Sequence, residues 1–169
     1  NFLLEKEPSM YEPEYEDFVN SIKTAMMFYD WVNEKDEEFL LEEYNIRPGE
    51  LKIKLDIADW LLYSSEELSK LLHFKPLIKE IIKLRLRLRY GVKEELLPLL
   101  KLEQIGRVRA RTLYRNKIKD ISDIKNARLE ILEQILGKKI ALAVKKQVGE
   151  EIEIVPERKR KGQISLKDY

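Results

Sequence analysis

Apolar residues recur at spacings of three and four along most of the chain, which is the repeat of an α-helix that packs on one side. The first such segment, residues 14–31, predicts a long helix. Its apolar positions are Phe18, Ile22, Ala25, Phe28 and Tyr29. A short acidic helix is expected at about 34–44, and the Pro48-Gly49 step predicts a new helix start. Glycine and proline number only six each and fall where helices should end, so we predict an all-α fold.

The next predicted helix, at residues 50–63, has two different faces. At about 100° per residue, its core stripe covers about 60° of the helix circumference. That stripe consists of Leu51, Leu55, Ala58 and Leu62. Trp60 lies about 180° from the start of the stripe, with Ile53 beside it, while Lys52 and Lys54 flank the stripe. Two interpretations of Trp60 stay open: it fills a second core, or it is an aromatic side chain presented to a groove.

Residues 83–89 alternate between basic residues and leucine, as a β-strand would, yet we predict a helix across residues 77–90. The longer segment has an apolar stripe at spacings of four, three and four, and an isolated strand would have no partner. The stripe consists of Leu77, Ile81, Leu84 and Leu88. Gly91 should end this helix, and the composition becomes basic after it, so we place a domain boundary at 91–92.

Shorter helices are predicted beyond this boundary, followed by a charged tail. The predicted helices span residues 93–101, 107–116, 121–125 and 127–147. Gly149 should end the last of them. Residues 150–169 contain the basic run 158–161 and too few apolar residues for a core, so we expect a flexible tail.

The net charge of +1 conceals a strong gradient along the chain. Residues 1–50 hold four Lys and Arg against 14 Asp and Glu, a net charge of −10. Residues 51–100 hold ten against seven, or +3, and residues 101–169 hold 18 against ten, or +8. Such polarity is typical of a protein with one surface for a polyanion. The alternative is two solvated domains whose surfaces differ in charge.

The composition excludes several classes of enzyme and of site. With no cysteine there is no disulfide, thiol nucleophile or thiolate metal site, and His73 as the single histidine excludes a His cluster on a metal. No segment approaches the roughly 20 apolar residues of a membrane span. No P-loop, Rossmann glycine pattern or G-x-S-x-G motif is present, so we expect no catalytic residue and no cofactor in this chain. The start at Asn1 indicates a fragment, and the composition is typical of an intracellular, thermophilic protein.

Residues 96–118 have the pattern with the clearest chemistry. A short helix, a turn that contains Ile105-Gly106, and a helix that opens with three alternating arginines match a helix–hairpin–helix unit. In such a unit, backbone N–H groups of the hairpin bind a phosphate, and glycine lets the backbone approach it closely. The arginines, which add charge-assisted contacts, are Arg107, Arg109 and Arg111.

The surroundings of this hairpin are basic. Residues 101–128 hold nine Lys and Arg against three Asp and Glu, which favours DNA binding through the backbone without sequence specificity. Arg107 and Arg111 share a helix face, whereas Arg109 points about 200° away from Arg107. The alternative is a helical hairpin with a solvated basic face.

Five segments of the chain resemble the C-terminal part of the archaeal Hjm-type superfamily 2 DNA helicases. These segments are residues 30–34 (DWVNE), 47–51 (RPGEL), 58–61 (ADWL), 90–97 (YGVKEELL) and 105–114 (IGRVRARTLY). Members of that family are ATP-driven, 3′ to 5′ repair helicases that act at stalled or branched forks. The resemblance implies that residues 1–91 are most of a helical ratchet domain, truncated at its N-terminus, and that residues 92–149 are a small helix–hairpin–helix domain. The motor domains, with their ATP and Mg²⁺, would lie upstream.

The resemblance also implies roles for individual residues. Trp60 matches the ratchet-helix tryptophan, which stacks on bases of the translocating single strand. The family can pair that tryptophan with an arginine two turns earlier, a position held here by Ile53 with Lys52 and Lys54 beside it. The alternating arginines match a motif that contacts DNA and couples the small domain to the motor, and Gln104 stands where many helix–hairpin–helix motifs have their first glycine.

The end of the tail fits the core of a sliding-clamp-binding peptide, Q-x-x-h-x-x-aromatic. Its three positions are Gln163, Leu166 and Tyr169. The spacing of three and three places the two apolar anchors on one helical turn. A chance match in a solvated tail is the alternative, because short motifs recur at random.

Together these patterns predict the DNA-binding C-terminal part of a helicase. We expect single-stranded and branched DNA, a sliding clamp and the motor domains of the same polypeptide as partners, no membrane, and a cytoplasmic, nucleoid-associated location. Two other functions remain open: a free-standing DNA junction-binding module without a motor, and an adaptor for other repair proteins.

Overall fold

The computed structural model describes residues 6–149. Those residues form helices without any strand, which confirms the all-α prediction for this part of the chain. The α-helices are α1 (Tyr15–Val32), α2 (Glu37–Glu43), α3 (Pro48–Leu71), α4 (Lys75–Tyr90), α5 (Arg107–Arg115), α6 (Ile121–Asn126), α7 (Leu129–Leu136) and α8 (Lys138–Gln147). Within this range, none of the helices has the length and apolar run that crossing a bilayer requires. The expected flexible tail and its clamp motif lie outside the described residues and stay predictions.

Helix α3 is eight residues longer at its C-terminal end than the predicted helix, which ended at residue 63. Two consecutive serines, normally poor helix formers, lie inside it. The hydroxyl of Ser64 donates to the carbonyl of Trp60 at 3.0 Å, and that of Ser65 donates to the carbonyl of Leu61 at 2.9 Å. Because both hydroxyls are satisfied within the helix, they do not end it.

Residues 75–90 form helix α4, so the helical interpretation of the alternating segment is confirmed. The predicted apolar stripe is only half right, because Leu77 and Leu84 are exposed. The buried side of α4 instead follows Ile81, Arg85 and Leu88, with a charged residue in a core position. The repeat of three and four is the same, but the stripe is rotated around the helix.

The second half of the chain departs from the prediction at two places. The single helix expected at 127–147 is wrong, because Gly137 adopts φ +84° and divides it into α7 and α8. The short helix expected at 93–101 is a pair of 3₁₀ turns, Glu94–Leu96 and Leu99–Lys101. Pro98 lies between these turns, and its missing N–H prevents a continuous helical hydrogen-bond ladder.

The buried apolar side chains form two clusters. The larger lies wholly within residues 92–144 and is closed by α5, α7, α8 and the 3₁₀ turns. The smaller consists of Met27, Leu40, Tyr44 and Leu51, where α1, α2 and α3 meet. Helices α3 and α4 pack along one another, and α1 also contacts α4.

Candidate nucleic-acid interface

The hairpin that precedes α5 presents an open backbone surface. Leu102 and Ile105 are buried in the larger core, which fixes the hairpin, and Gly106 is the N-cap residue of α5. A Cβ atom placed on Gly106 would have no heavy atom within 4 Å, so a ligand can approach the backbone there. The amides in the first turn of a helix have no intrahelical acceptor and carry partial positive charge. These amides can therefore donate hydrogen bonds to a phosphate oxygen.

Gln104 holds the backbone of the hairpin in a left-handed conformation, with φ +66°. Glycine adopts this conformation freely, whereas in another residue it costs about 1–2 kcal/mol of conformational free energy. The carbonyl of Gln104 accepts a hydrogen bond from Nη1 of Arg109 at 2.8 Å. The amide of Ile105 donates to the carbonyl of Leu102 at 3.2 Å. The hairpin thus forms without the glycine that stands first in many such motifs. The hydrogen bond from Arg109 stabilises the hairpin.

Arg111 lies on a different face of α5 and meets the connection between α1 and α2. Its Nε donates to Oε2 of Glu34 at 2.6 Å, and its Nη2 binds the other oxygen of the same carboxylate. Its Nη1 donates to Oε1 of Glu95 at 2.7 Å. Only 20% of the Arg111 side chain and 13% of the Glu34 side chain are exposed. This bidentate pair joins the second half of the chain to the first.

Arg107 shares that face and contacts Trp31. Its guanidinium lies 4.9 Å from the centre of the indole ring, and Nη2 donates to the carbonyl of Lys35 at 2.5 Å. The Trp31 Nε1 donates to the carbonyl of Leu88 at 2.6 Å. Gly91, with φ +63°, lies against the same ring, since a Cβ atom there would be 2.7 Å from the indole. Trp31 therefore links α1, the end of α4 and the start of α5.

The pKa values of Glu34 and Arg111 shift in the directions that their pairing predicts, whereas that of Arg107 shifts the other way. Burial favours the neutral form of Glu34, but hydrogen bonds from Arg111 and from the amide of Lys93 outweigh it and lower the pKa of Glu34 below 4.5. The hydrogen bond to Glu34 raises the pKa of Arg111 despite partial burial. Burial lowers the pKa of Arg107, against the attraction of Glu34 and Asp36, yet an arginine remains charged.

Trp60 is 44% exposed on the outer side of α3. No second core within residues 6–149 buries it, which favours the interpretation of an aromatic side chain presented to a groove. It belongs to an exposed stripe along α3 formed by Ile53, Ile57, Trp60, Leu61, Leu68 and Leu71. Lys52 is exposed, whereas Nζ of Lys54 lies 3.3 Å from the Thr24 hydroxyl on the α1 side.

A buried ion network behind Trp60 escaped the sequence analysis. Arg85 is only 5% exposed, and its Nε donates to Oδ1 of Asp59 at 3.2 Å. Its Nη1 binds Glu66, and its guanidinium lies 5.0 Å from the Tyr63 ring centre. Asp59 directly precedes Trp60, so the network fixes how α3 is rotated against α4. The sequence did contain a sign of this burial: Arg85 lies four residues after Ile81 and three before Leu88, at the spacing of one helix face.

The turn between α7 and α8 has the same pattern of glycine, basic and buried positions as the hairpin before α5, 31 residues further along the chain. Gly137 and Lys138 correspond to Gly106 and Arg107. The buried pairs that correspond are Ile105 with Leu136, Ala110 with Ala141, and Leu113 with Val144. A Cβ atom on Gly137 would also find open space, and Lys139 is exposed beside it. The sequence prediction of one helix at 127–147 did not include this second basic turn.

The chain matches known proteins along most of its length. A family model described as archaeal helicase, domain 4, matches residues 1–91. The chain is 39% identical over 163 residues to the ATP-dependent DNA helicase Hel308 of Pyrococcus horikoshii, covering 93% of this chain and 23% of that protein. It is 42% identical over 163 residues to the Hel308 of Thermococcus kodakarensis, covering 90% of this chain and 14% of that protein. The chain thus spans less than a quarter of the length of these relatives.

Proposed function

Because the chain belongs to the archaeal helicase domain 4 family, we propose that it is the DNA-binding C-terminal part of an ATP-dependent DNA helicase that acts on forked or branched DNA. In this proposal the helicase translocates 3′ to 5′, and its ATP and Mg²⁺ are held by motor domains elsewhere in the full-length polypeptide. The 169 residues contain no P-loop, and in this proposal they supply contacts with DNA while the motor domains hydrolyse ATP.

The open amide turn at Gly106 is the observation that carries the proposal. It combines an unobstructed backbone, the N-terminus of a nine-residue helix and a basic surrounding sequence. Such a turn binds a phosphate of any nucleotide, which suits a helicase that must move along every sequence. The turn at Gly137, with Lys138 and Lys139, would supply a second phosphate contact of the same kind.

Trp60 would supply the contact with bases. A half-exposed indole on a helix held by buried ion pairs can stack on an unpaired base, since every base has a π-face. This contact requires single-stranded DNA, whereas the amide turns can donate to phosphates of single-stranded or double-stranded DNA. A fork offers both forms within a short distance.

A charge placed at the amide turn tests the proposal. Gly106 has φ −98° and free space at Cβ, so Gly106→Asp should fold. Aspartate is a good N-cap residue, and we expect an unchanged or higher melting temperature. Its carboxylate would occupy the amides and repel phosphate, so DNA binding should weaken. The slope of log K against log salt concentration should become shallower by about 0.9 for each phosphate of duplex DNA that the turn no longer binds.

The matched control is Gly106→Ala, which adds a side chain without charge. Binding of a forked oligonucleotide is measured by fluorescence anisotropy at several salt concentrations. We expect the alanine variant to bind much more like the parent than the aspartate variant. Equal affinity and equal salt dependence for parent and Gly106→Asp would refute a phosphate site at this turn.

A further inference from the structure

A pocket of about 300 Å³ opens between α1 and the first half of α3. One face of α1 forms one side of the pocket, with residues at the helical spacings of three and four. These residues are Asn20, Lys23, Thr24 and Met27. Tyr44 and Ile46, from the connection between α2 and α3, also line the pocket, and Lys54 of α3 completes it. Below we call this the Lys54 pocket. No residue of the Gly106 turn lines it.

The pocket combines an apolar base with hydrogen-bond donors. Met27 and Tyr44 are 1% and 6% exposed and belong to the smaller core, so this side of the pocket is fixed. Nζ of Lys54 donates to the Thr24 hydroxyl at 3.3 Å, and its other N–H groups remain available to a ligand. Lys23 is exposed and supplies a second ammonium group. An apolar lining with a few polar groups is the usual composition of a ligand pocket.

Neither lysine of the pocket is paired with an acidic side chain of the described chain. Among residues 6–149, no carboxylate lies within ion-pair distance of Nζ of Lys23 or of Lys54. The carboxylate of Asp30 instead accepts the hydroxyl of Tyr44 at 2.7 Å. The surrounding sequence is acidic, since residues 1–50 hold 14 Asp and Glu against four Lys and Arg. Two ammonium groups beside a hydroxyl favour an anion with several acceptor oxygens, and a phosphate is such an anion.

The position of Lys54 on α3 relates the pocket to Trp60. Lys54, Ile57 and Trp60 follow one another at intervals of three, so their side chains are neighbours on the helix surface. Trp60 lies about 9 Å further along the helix axis than Lys54 and about 120° around it. Ile57 is 50% exposed, so the surface between the pocket and the indole is open to solvent. Proteins that bind single strands combine aromatic side chains that stack on bases with basic groups that follow the backbone.

We propose that the Lys54 pocket binds a backbone phosphate of the single strand whose base stacks on Trp60. Lys23 and Lys54 donate to the phosphate oxygens, and the adjoining sugar lies against Met27 and Ile46. This inference rests on the base contact proposed for Trp60 and adds a contact with the backbone of the same strand. Every nucleotide carries a phosphate, so the contact suits movement along any sequence.

NMR on the full 169-residue chain tests this proposal. The methyl groups of Met27 and Ile46 report on the pocket, and the indole N–H reports on Trp60. We expect a single-stranded oligonucleotide to shift these resonances together, with one dissociation constant. The indole N–H of Trp31, which donates to the carbonyl of Leu88, should not shift.

The same titration distinguishes a strand from free phosphate and the pocket from the base contact. Inorganic phosphate at the same total phosphate concentration should leave the pocket resonances unchanged, because it has no base to stack on Trp60. Equal pocket shifts with inorganic phosphate and with DNA would overturn the proposal and show a site for free phosphate. A shifted Trp60 indole with unchanged Met27 and Ile46 methyls would overturn the pocket contact alone. An unchanged indole at saturating DNA would refute the base contact, and with it this inference.

Removing the two charges tests the role of the lysines. Lys23→Met with Lys54→Met keeps the apolar stems of both side chains and removes both ammonium groups. We expect the affinity for a single strand to fall about tenfold. The slope of log K against log salt concentration should become shallower by about 0.7 for each phosphate of the single strand that is no longer bound. Binding of a blunt duplex, which offers no unpaired base to Trp60, should stay at the parent level.

The matched control is Lys75→Met with Lys79→Met, which removes two exposed charges from α4. It should bind the single strand within about twofold of the parent, because exposed charges far from the strand are screened by salt. Melting temperatures equal to that of the parent check that both variants fold. Equal weakening by the two double variants would overturn the proposal, since it would show general attraction of DNA by positive charge. An equal loss of single-strand and duplex binding in the pocket variant would also overturn it.

Discussion

The two halves of the chain bury their apolar side chains in different ways. Residues 92–149 close one continuous core, and their surface is basic. Residues 15–90 have a small core, a buried ion network around Arg85 and an apolar stripe left exposed along α3. The second half thus presents a basic surface with an open amide turn at Gly106, whereas the first half presents an apolar stripe that includes Trp60, the residue proposed to meet bases.

The buried ion network should show the largest effect on stability. Arg85→Ala leaves Asp59 and Glu66 buried without their guanidinium, and breaking such a network costs about 3–5 kcal/mol. Urea unfolding of the variant should show this loss. The exposed change Lys79→Ala on the same helix should stay within about 0.5 kcal/mol of the parent. A loss below about 1 kcal/mol for Arg85→Ala would show that the network does not hold α3 and α4 together.

Arg107 and Arg111 of α5 lie between the two halves, so a test of their proposed role in DNA binding needs a control. We expect Arg107→Ala with Arg111→Ala to weaken binding equally on all sequences and to flatten the salt dependence by about 0.9 for each phosphate that is no longer bound. Glu34→Gln disrupts the same junction but leaves both arginines charged. If Glu34→Gln weakens DNA binding as much as the double variant, the arginines act by joining the halves and not by contacting phosphate.

The Glu34 pair should give a smaller effect that depends on pH. The folded-state pKa of Glu34 is lowered, so its contribution to stability is present above about pH 4.5 and is lost as pH falls through the folded-state value. We expect the parent to lose more stability than Glu34→Gln between about pH 6 and pH 3.5. Urea midpoints at both pH values measure this difference. An equal loss in both proteins would show that other carboxylates account for the acid sensitivity.

Local patterns were enough to predict most helices, because each depends on residues close in sequence. The start of α3 at Pro48, the end of α4 at Gly91 and the hairpin before α5 are of this kind. The break between α7 and α8 at Gly137 also depends on a local residue. It was not predicted, because the apolar repeat continues on both sides of Gly137.

Contacts between distant residues could not be predicted from the pattern. Arg111 and Glu34 are 77 residues apart, and their pairing depends on how the halves pack. The rotation of α4 that buries Arg85 and exposes Leu84 depends on Asp59 and Glu66 across the helix pair. The sequence indicated that the α5 arginines matter, and the structure adds that two of them also hold the halves together.

The central claim for the first half is that Trp60 stacks on a base. The fluorescence of Trp60 tests this claim most directly. The chain has two tryptophans, so Trp31→Phe leaves Trp60 as the single reporter. We expect single-stranded DNA to quench that fluorescence at saturation, while Trp60→Phe, which reports on Trp31, changes little. Trp60→Ala should lose about 1–3 kcal/mol of single-strand binding while keeping its melting temperature. Unchanged Trp60 fluorescence at saturating DNA, or a stability loss of about 3–5 kcal/mol in Trp60→Ala, would contradict the account.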